Sequence, residues 1–149
     1  MIEYKRLTAD REDEFIKMRI AQMREEGAKE DIDLVPALKS YCERHMADDT
    51  FISFLALDGG RIIGTSGISI VEKPPYFSCP TGRIALLSSM YTAKEYRRQG
   101  IASRLLSLVA NEARKRGCGV IQITASDMGA KLYTAFGFEK NQNFMQLKL

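Results

Sequence analysis

The chain has 149 residues, 45% of them hydrophobic and 28% charged, which suits one globular domain over residues 1–149 with a buried core. No run reaches the roughly 18 apolar residues of a membrane span. The net charge of +3 is too small to indicate nucleic acid as a partner.

Ile2 to Leu7 alternates and predicts a first strand. Thr8-Ala9-Asp10 offers helix caps, and Glu12, Asp13 and Glu14 suit the positive end of a helix dipole. Phe15, Ile16, Met18, Ile20 and Met23 then recur at helical spacing up to Gly27, a C-terminal stop. An acidic connection, Ala28 to Asp33, precedes a second helix that Asp33 can cap. Leu34, Leu38, Tyr41, Cys42 and Met46 line its buried face. Thr50 to Leu57 and Ile62 to Val71 read as a hairpin around Asp58-Gly59-Gly60-Arg61. Gly64 and Gly67, inside the second strand, mark a bulge or a close backbone approach.

Glu72 to Thr81 contains three prolines and reads as an irregular loop. Gly82 to Tyr91 returns to strand, with its apolar run starting at Ile84. Ile101 to Arg116 reads as an amphipathic helix that ends in a basic turn and Gly117. Val120 to Ala125 reads as a buried strand, so this region forms a strand–helix–strand unit with parallel strands. Ser126-Asp127 can cap a last helix, Gly129 to Phe136. Phe138 to Lys140 and Phe144 to Leu149 read as two closing strands around Asn141-Gln142-Asn143. The fold class is α/β (α+β): a central, mostly antiparallel sheet of about seven strands, about four helices and one parallel βαβ unit.

The stretch Glu95 to Ala102 joins the Gly82–Tyr91 strand to the helix that follows it. It places Arg97, Arg98 and Gly100 at a helix N-terminus, where unpaired N–H groups and the dipole favour an anion. Charge agrees with this. Residues 94 to 131 carry eight basic against three acidic side chains, whereas residues 1 to 33 carry seven against ten. A P-loop would place Lys and Ser/Thr after the glycine, and here Ile101 and Ala102 follow Gly100. A dinucleotide fingerprint would place glycine at Arg97 and Gln99. Metal chemistry has no support: Cys42, Cys79 and Cys118 are scattered, His45 is the single histidine, and no ligand spacing occurs.

The pattern that remains, Arg-x-x-Gly-x-Ala at Arg97 to Ala102, resembles the pyrophosphate loop of the GNAT superfamily of N-acetyltransferases. Leu132-Tyr133-Thr134-Ala135-Phe136-Gly137-Phe138-Glu139 is similar to a second segment of that family, and the order of elements agrees along the whole chain. The resemblance implies acetyl-CoA as cosubstrate and no metal. It implies that Arg97, Arg98, Gln99, Gly100, Ile101 and Ala102 hold the pyrophosphate. It further implies that Met90, Tyr91 and Thr92 pair with the pantetheine arm, where the strands Ile84–Tyr91 and Val120–Ala125 splay. An N–H at the end of the earlier strand would stabilise the oxyanion. Tyr133 would protonate the departing thiolate, after direct attack by a primary amine of a small molecule or peptide.

The sequence also departs from the family. Ser126 stands where many members carry an Asn that contacts the arm, and Thr92 and Lys94 replace the usual Val and Pro. The strand before the loop has no carboxylate to serve as base, only Ser88 and Ser89. Glu25, Glu26, Glu30 and Glu72 are the other candidates, and Tyr76 and Phe77 would help shape the acceptor pocket. That missing carboxylate keeps a second class open, a CoA-binding sensor or partner-binding domain without turnover. The mixed-charge N-terminus carries no apolar signal segment, so the expected location is the cytoplasm, with no membrane partner. A homodimer is compatible with the resemblance.

Overall fold

A computed structural model of the protein describes residues 1–125, 129–140 and 143–149. In chain order the elements are β1 (Ile2–Arg6), α1 (Glu12–Glu25), α2 (Val35–Ala47), β2 (Phe51–Ile52), β3 (Phe54–Asp58), β4 (Arg61–Glu72), β5 (Arg83–Thr92), α3 (Ile101–Lys115), β6 (Val120–Gln122) and α4 (Ala130–Phe136). Short 3-10 turns lie at Ala9–Arg11 and Lys94–Tyr96. Gly59 and Gly60 have φ of +57° and +80°, the left-handed pair that a two-residue hairpin turn needs.

Among the described residues the sheet has six strands in the order β1-β3-β4-β5-β6, with β2 also paired to β4. Every pairing is antiparallel except β5 with β6. The mixed, largely antiparallel architecture read from the sequence is therefore the one that forms. Alternation along the hairpin feeds both faces. Leu55 and Leu57 pack with Phe15, Ile16 and Cys42 beneath α1 and α2. Ala56 and Ile63 pack with Ile101 and Leu105 of α3. Leu105, Leu106 and Val109 are each fully buried, which contributes about 2 kcal/mol apiece and seats α3 on the sheet. A Cβ on Gly64 would lie 3.2 Å from both Ile101 Cγ2 and Leu105 Cδ1, so this glycine makes room for side chains of α3 rather than for a close backbone approach.

The structure corrects three expectations. The strand drawn from Thr50 to Leu57 is interrupted at Ser53. There the Ser66 hydroxyl donates to the Phe54 carbonyl and accepts the Phe54 N–H, so a side chain replaces a backbone rung. β6 stops at Gln122, short of Ala125. The two closing strands do not form: among the described residues, 138–140 and 143–149 lie in no strand. An isolated hairpin is marginal, and the three residues of β6 give it little edge to pair with. Ser126 and Asp127, expected as a cap, lie outside the described residues, as do Asn141 and Gln142 of the expected turn.

Candidate active site

The site starts from a defect in the sheet. Between the pairs Gly67–Ser88 and Thr65–Tyr91, Ser66 on β4 faces two residues of β5, Ser89 and Met90. This is a β-bulge, and Ser89 sits in the left-handed region at φ +57°. Thr65 Oγ1 donates to the Ser89 carbonyl at 2.7 Å, wholly inside the protein. A bulge bends its strand and adds twist. Accordingly β5 keeps its parallel partner only from Ile84 to Leu86, opposite Val120 to Gln122. From Leu87 to Thr92, among the described residues, its far edge has no strand beside it. Such an edge can take an extended ligand as an added strand.

Beyond Thr92 the chain turns through Lys94–Tyr96 into the loop. Arg98 and Gly100 have φ of +62° and +81°, and left-handed residues of this kind fold successive N–H groups into an anion-binding concavity. The first α3 bond, Arg104 N–H to Gly100 O at 3.1 Å, leaves the N–H groups of Ile101, Ala102 and Ser103 without a partner inside the helix. A Cβ at Gly100 would meet nothing within 4 Å, so there is room for an anion against this turn. Arg98 is exposed and Gln99 donates to the Glu95 carbonyl at 3.3 Å.

Arg97 is engaged elsewhere. Its Nε donates to the Thr92 carbonyl at 2.9 Å, and its Nη2 reaches both oxygens of Glu25 at 3.0 and 3.1 Å. The guanidinium also lies over the Tyr91 ring, 5.6 Å from its centroid. The Tyr91 hydroxyl and the Arg97 guanidinium hold the Glu25 carboxyl below the usual carboxylate range, which makes Glu25 a brace for the loop and a poor base.

Tyr133, on α4, is 7% exposed and packs edge-on against Phe138 at 5.5 Å between centroids. Burial pushes its hydroxyl up to about 12, and the charge of Glu26 adds to the shift. The phenol therefore stays protonated throughout the neutral range. Glu26 belongs to a polar line that continues α1. Arg19 Nη1 donates to Gln22 Oε1 at 2.9 Å, and Gln22 Nε2 donates to Glu26 Oε1 at 3.3 Å and to the Met90 carbonyl at 3.2 Å. Burial lowers the Arg19 pKa, and Glu26 acts against that.

The expected site residues thus fall into two groups. Met90, Tyr91, Thr92, Glu25, Glu26, Tyr133 and the loop from Arg97 to Ala102 converge at the open end of β5. Glu72, Tyr76 and Phe77 do not join them. Glu72 pairs with Arg83 at 3.0 Å, the length of β5 away from Thr92, roughly 30 Å at about 3.3 Å per residue. Tyr76 bridges to Cys79 in the loop beyond Glu72, and Phe77 is fully exposed there. Glu30 is an exposed partner of Arg24, at 2.8 Å. Ser126 lies outside the described residues. Sequence reasoning missed Arg19, Gln22 and Thr65. A signal was present in α1: after Phe15 the inward face continues as Arg19, Gln22 and Glu26, a polar line where an apolar one is expected. Among the described residues no group of His, Cys, Asp and Glu side chains could hold a metal ion, and no helix is long and apolar enough to cross a membrane.

Residues 13–138 match the model of the acetyltransferase (GNAT) family. Rat (Rattus norvegicus) N-acetyltransferase 8 is 33% identical over 120 residues, which is 77% of this chain and 50% of the rat protein. The aminoglycoside N(6')-acetyltransferase type 1 of Serratia marcescens is 34% identical over 70 residues, 43% of this chain and 46% of that protein. The chain spans about half the length of the curated relatives it matches. The crystal structure of a predicted acetyltransferase from Clostridium acetobutylicum with acetyl-CoA superposes with a TM-score of 0.96 at 28% identity, over 99% of this chain and 96% of that one.

Proposed function

The chain belongs to the acetyltransferase (GNAT) family, and on that premise we propose that it moves the acetyl group of acetyl-CoA directly to a primary amine of a small molecule or peptide. The observation that carries this reading is the edge of β5 from Leu87 to Thr92, which among the described residues has no strand beside it and which has Tyr133 next to it and the Gly100 turn at its end. Acetyl-CoA suits the three parts. Its pyrophosphate matches the N–H groups of Gly100, Ile101 and Ala102 at the α3 N-terminus. Its pantetheine arm is an extended chain with amides, able to pair with the backbone of Met90, Tyr91 and Thr92. Its sulfur would then lie within reach of Tyr133. The likeness to a structure holding acetyl-CoA, at 28% identity, supports the same assignment.

In the reaction the amine nitrogen bonds to the thioester carbon and the carbon–sulfur bond breaks. The sulfur takes the Tyr133 proton, the amine releases its surplus proton, and the phenolate regains one from solvent. With a pKa near 12, Tyr133 is always in its acid form but is a weak acid, so the transfer is partial at the transition state. Of the four carboxylates considered as base, Glu26 is the one whose charge bears on Tyr133, and it is the one that would receive the cationic amine. Acceptors of that kind are consistent with the aminoglycoside acetyltransferase among the relatives.

The test is release of CoA thiol from acetyl-CoA across a panel of small amines and amine-bearing peptides. Turnover with at least one amine class is expected. Tight binding of acetyl-CoA with no turnover across the panel would overturn the reading and leave a CoA-binding sensor.

A further inference from the structure

The peptides on either side of Met90 are each held by a buried side chain. Thr65 Oγ1 donates to the Ser89 carbonyl at 2.7 Å. Gln22 Nε2 donates to the Met90 carbonyl at 3.2 Å. Thr65 is 0% exposed and Gln22 is 7% exposed. The orientation of the Gln22 amide is settled by its neighbours: the Arg19 guanidinium can only donate and a backbone carbonyl can only accept. Peptide units are planar and trans, so a C=O held in one direction points the N–H of the same unit in the opposite one. The Thr65 bond therefore turns the Met90 N–H away from Thr65. The Gln22 bond fixes the second unit, so Met90 cannot swing about its own dihedrals. Ser89 needs this restraint, because a serine at φ +57° relaxes out of the left-handed region unless its surroundings hold it there.

We propose that Gln22 is a positioning residue for acetyl transfer: by anchoring the Met90 carbonyl to α1, it holds the Met90 N–H where the thioester oxygen meets it. This rests on the acetyltransferase reading above. Gln22 touches neither the thioester nor the amine; it acts through the backbone of the bulge. Its contribution lies in the chemical step. A preorganised donor is worth more to the developing oxyanion than to the ground-state carbonyl, and a small misplacement costs rate more than affinity.

The variant that isolates this role is Gln22→Glu. It keeps the length of the side chain and can still accept from Arg19, but as a carboxylate it offers Met90 no proton. The expected result at pH 8 is a kcat lower by about 10²-fold, with the KM for acetyl-CoA within about twofold and an unchanged circular dichroism spectrum. Glu26 next to it raises the pKa of the introduced carboxyl, and Arg19, which donates to it, lowers that pKa. Relative to wild type, kcat should recover as the pH falls and that group takes up the proton with which it can donate again. A merely structural role would show no such recovery. A second readout does not need turnover. In 15N-labelled wild-type protein the Met90 amide signal should differ between the CoA and acetyl-CoA complexes, and in Gln22→Glu at pH 8 that difference should collapse. An unchanged kcat, or an equal Met90 difference in both proteins, overturns the proposal. If wild type turns over no amine but keeps the acetyl-dependent Met90 signal, the transfer reading fails while the Gln22 geometry stands. If wild type turns over and shows no such signal, the proposal fails alone.

Discussion

At the scale of single residues the chemistry rests on one phenol in an unusual setting. Tyr133 is buried, it lies near the negative charge of Glu26, and its pKa is pushed up to about 12. Both influences favour the neutral form, so it holds its proton at any pH where the protein works. Its replacement by phenylalanine keeps the ring contact with Phe138 and removes only the acid. Tyr133→Phe should therefore lower kcat by roughly 10²-fold, the lower end of what a positioned acid contributes. The dissociation constant for acetyl-CoA, measured by calorimetry, should stay close to wild type. Full turnover in that variant would make Tyr133 a packing residue.

At the scale of elements the loop and the bulge divide what the sequence revealed from what it concealed. Strand, loop and helix around Arg97 to Ala102 were legible, because a helix N-terminus after a strand with a glycine is a local pattern. The convergence of Tyr133 with β5 was legible only through the family resemblance, since the residues lie far apart in the chain. Arg97 shows the limit: its type and spacing suggested a phosphate ligand, yet its partners are the Thr92 carbonyl and Glu25. Which acid a guanidinium meets across 72 residues is a tertiary fact. The bulge was hidden for a similar reason. Ser89 carries no mark of a left-handed residue, and its conformation is imposed by Thr65 on the next strand. The closing strands failed because alternation says what a strand could bury and not whether an edge is there to receive it. The loop itself predicts a graded pair of variants. Gly100→Asp puts a charged side chain where the anion would sit, at a backbone φ of +81° that L-residues resist, and should raise the KM for acetyl-CoA by more than tenfold. Glu25→Ala leaves the N–H groups in place and releases Arg97 and the Tyr91 hydroxyl, so a change of a few-fold is expected. The KM for the amine should move little in Gly100→Asp. Equal effects on both substrates would mean that this turn does not bind CoA.

At the scale of the whole molecule the same burial that tunes the site sets how the protein fails in alkali. Cys42 is pushed up to about 11 from 9.0 and Tyr133 to about 12 from 10.0, in both cases because burial disfavours the charged form. Below pH 9 both groups are protonated whether the chain is folded or not, and they leave stability unchanged with pH. Between pH 9 and 11 the unfolded chain releases the Cys42 proton while the folded one keeps it. Between pH 10 and 12 the same holds for Tyr133. The folded state then binds more protons than the unfolded, so stability falls as the pH rises. Each of these rises corresponds to roughly 2–3 kcal/mol, a large share of the roughly 5–15 kcal/mol that holds a domain together. Tyr91 and Cys118 move in the same direction and steepen the decline. Urea unfolding at fixed pH values from 8 to 12 should show wild type losing most of its stability over this window. Cys42→Ala starts from a lower value, because it leaves a cavity in the α1–α2 core. What matters is the slope: it should be shallower in Cys42→Ala between pH 9 and 11 and in Tyr133→Phe between pH 10 and 12. Slopes equal to wild type in both variants would show that the alkaline loss arises elsewhere, and that the Tyr133 phenol ionises near its ordinary value despite its burial.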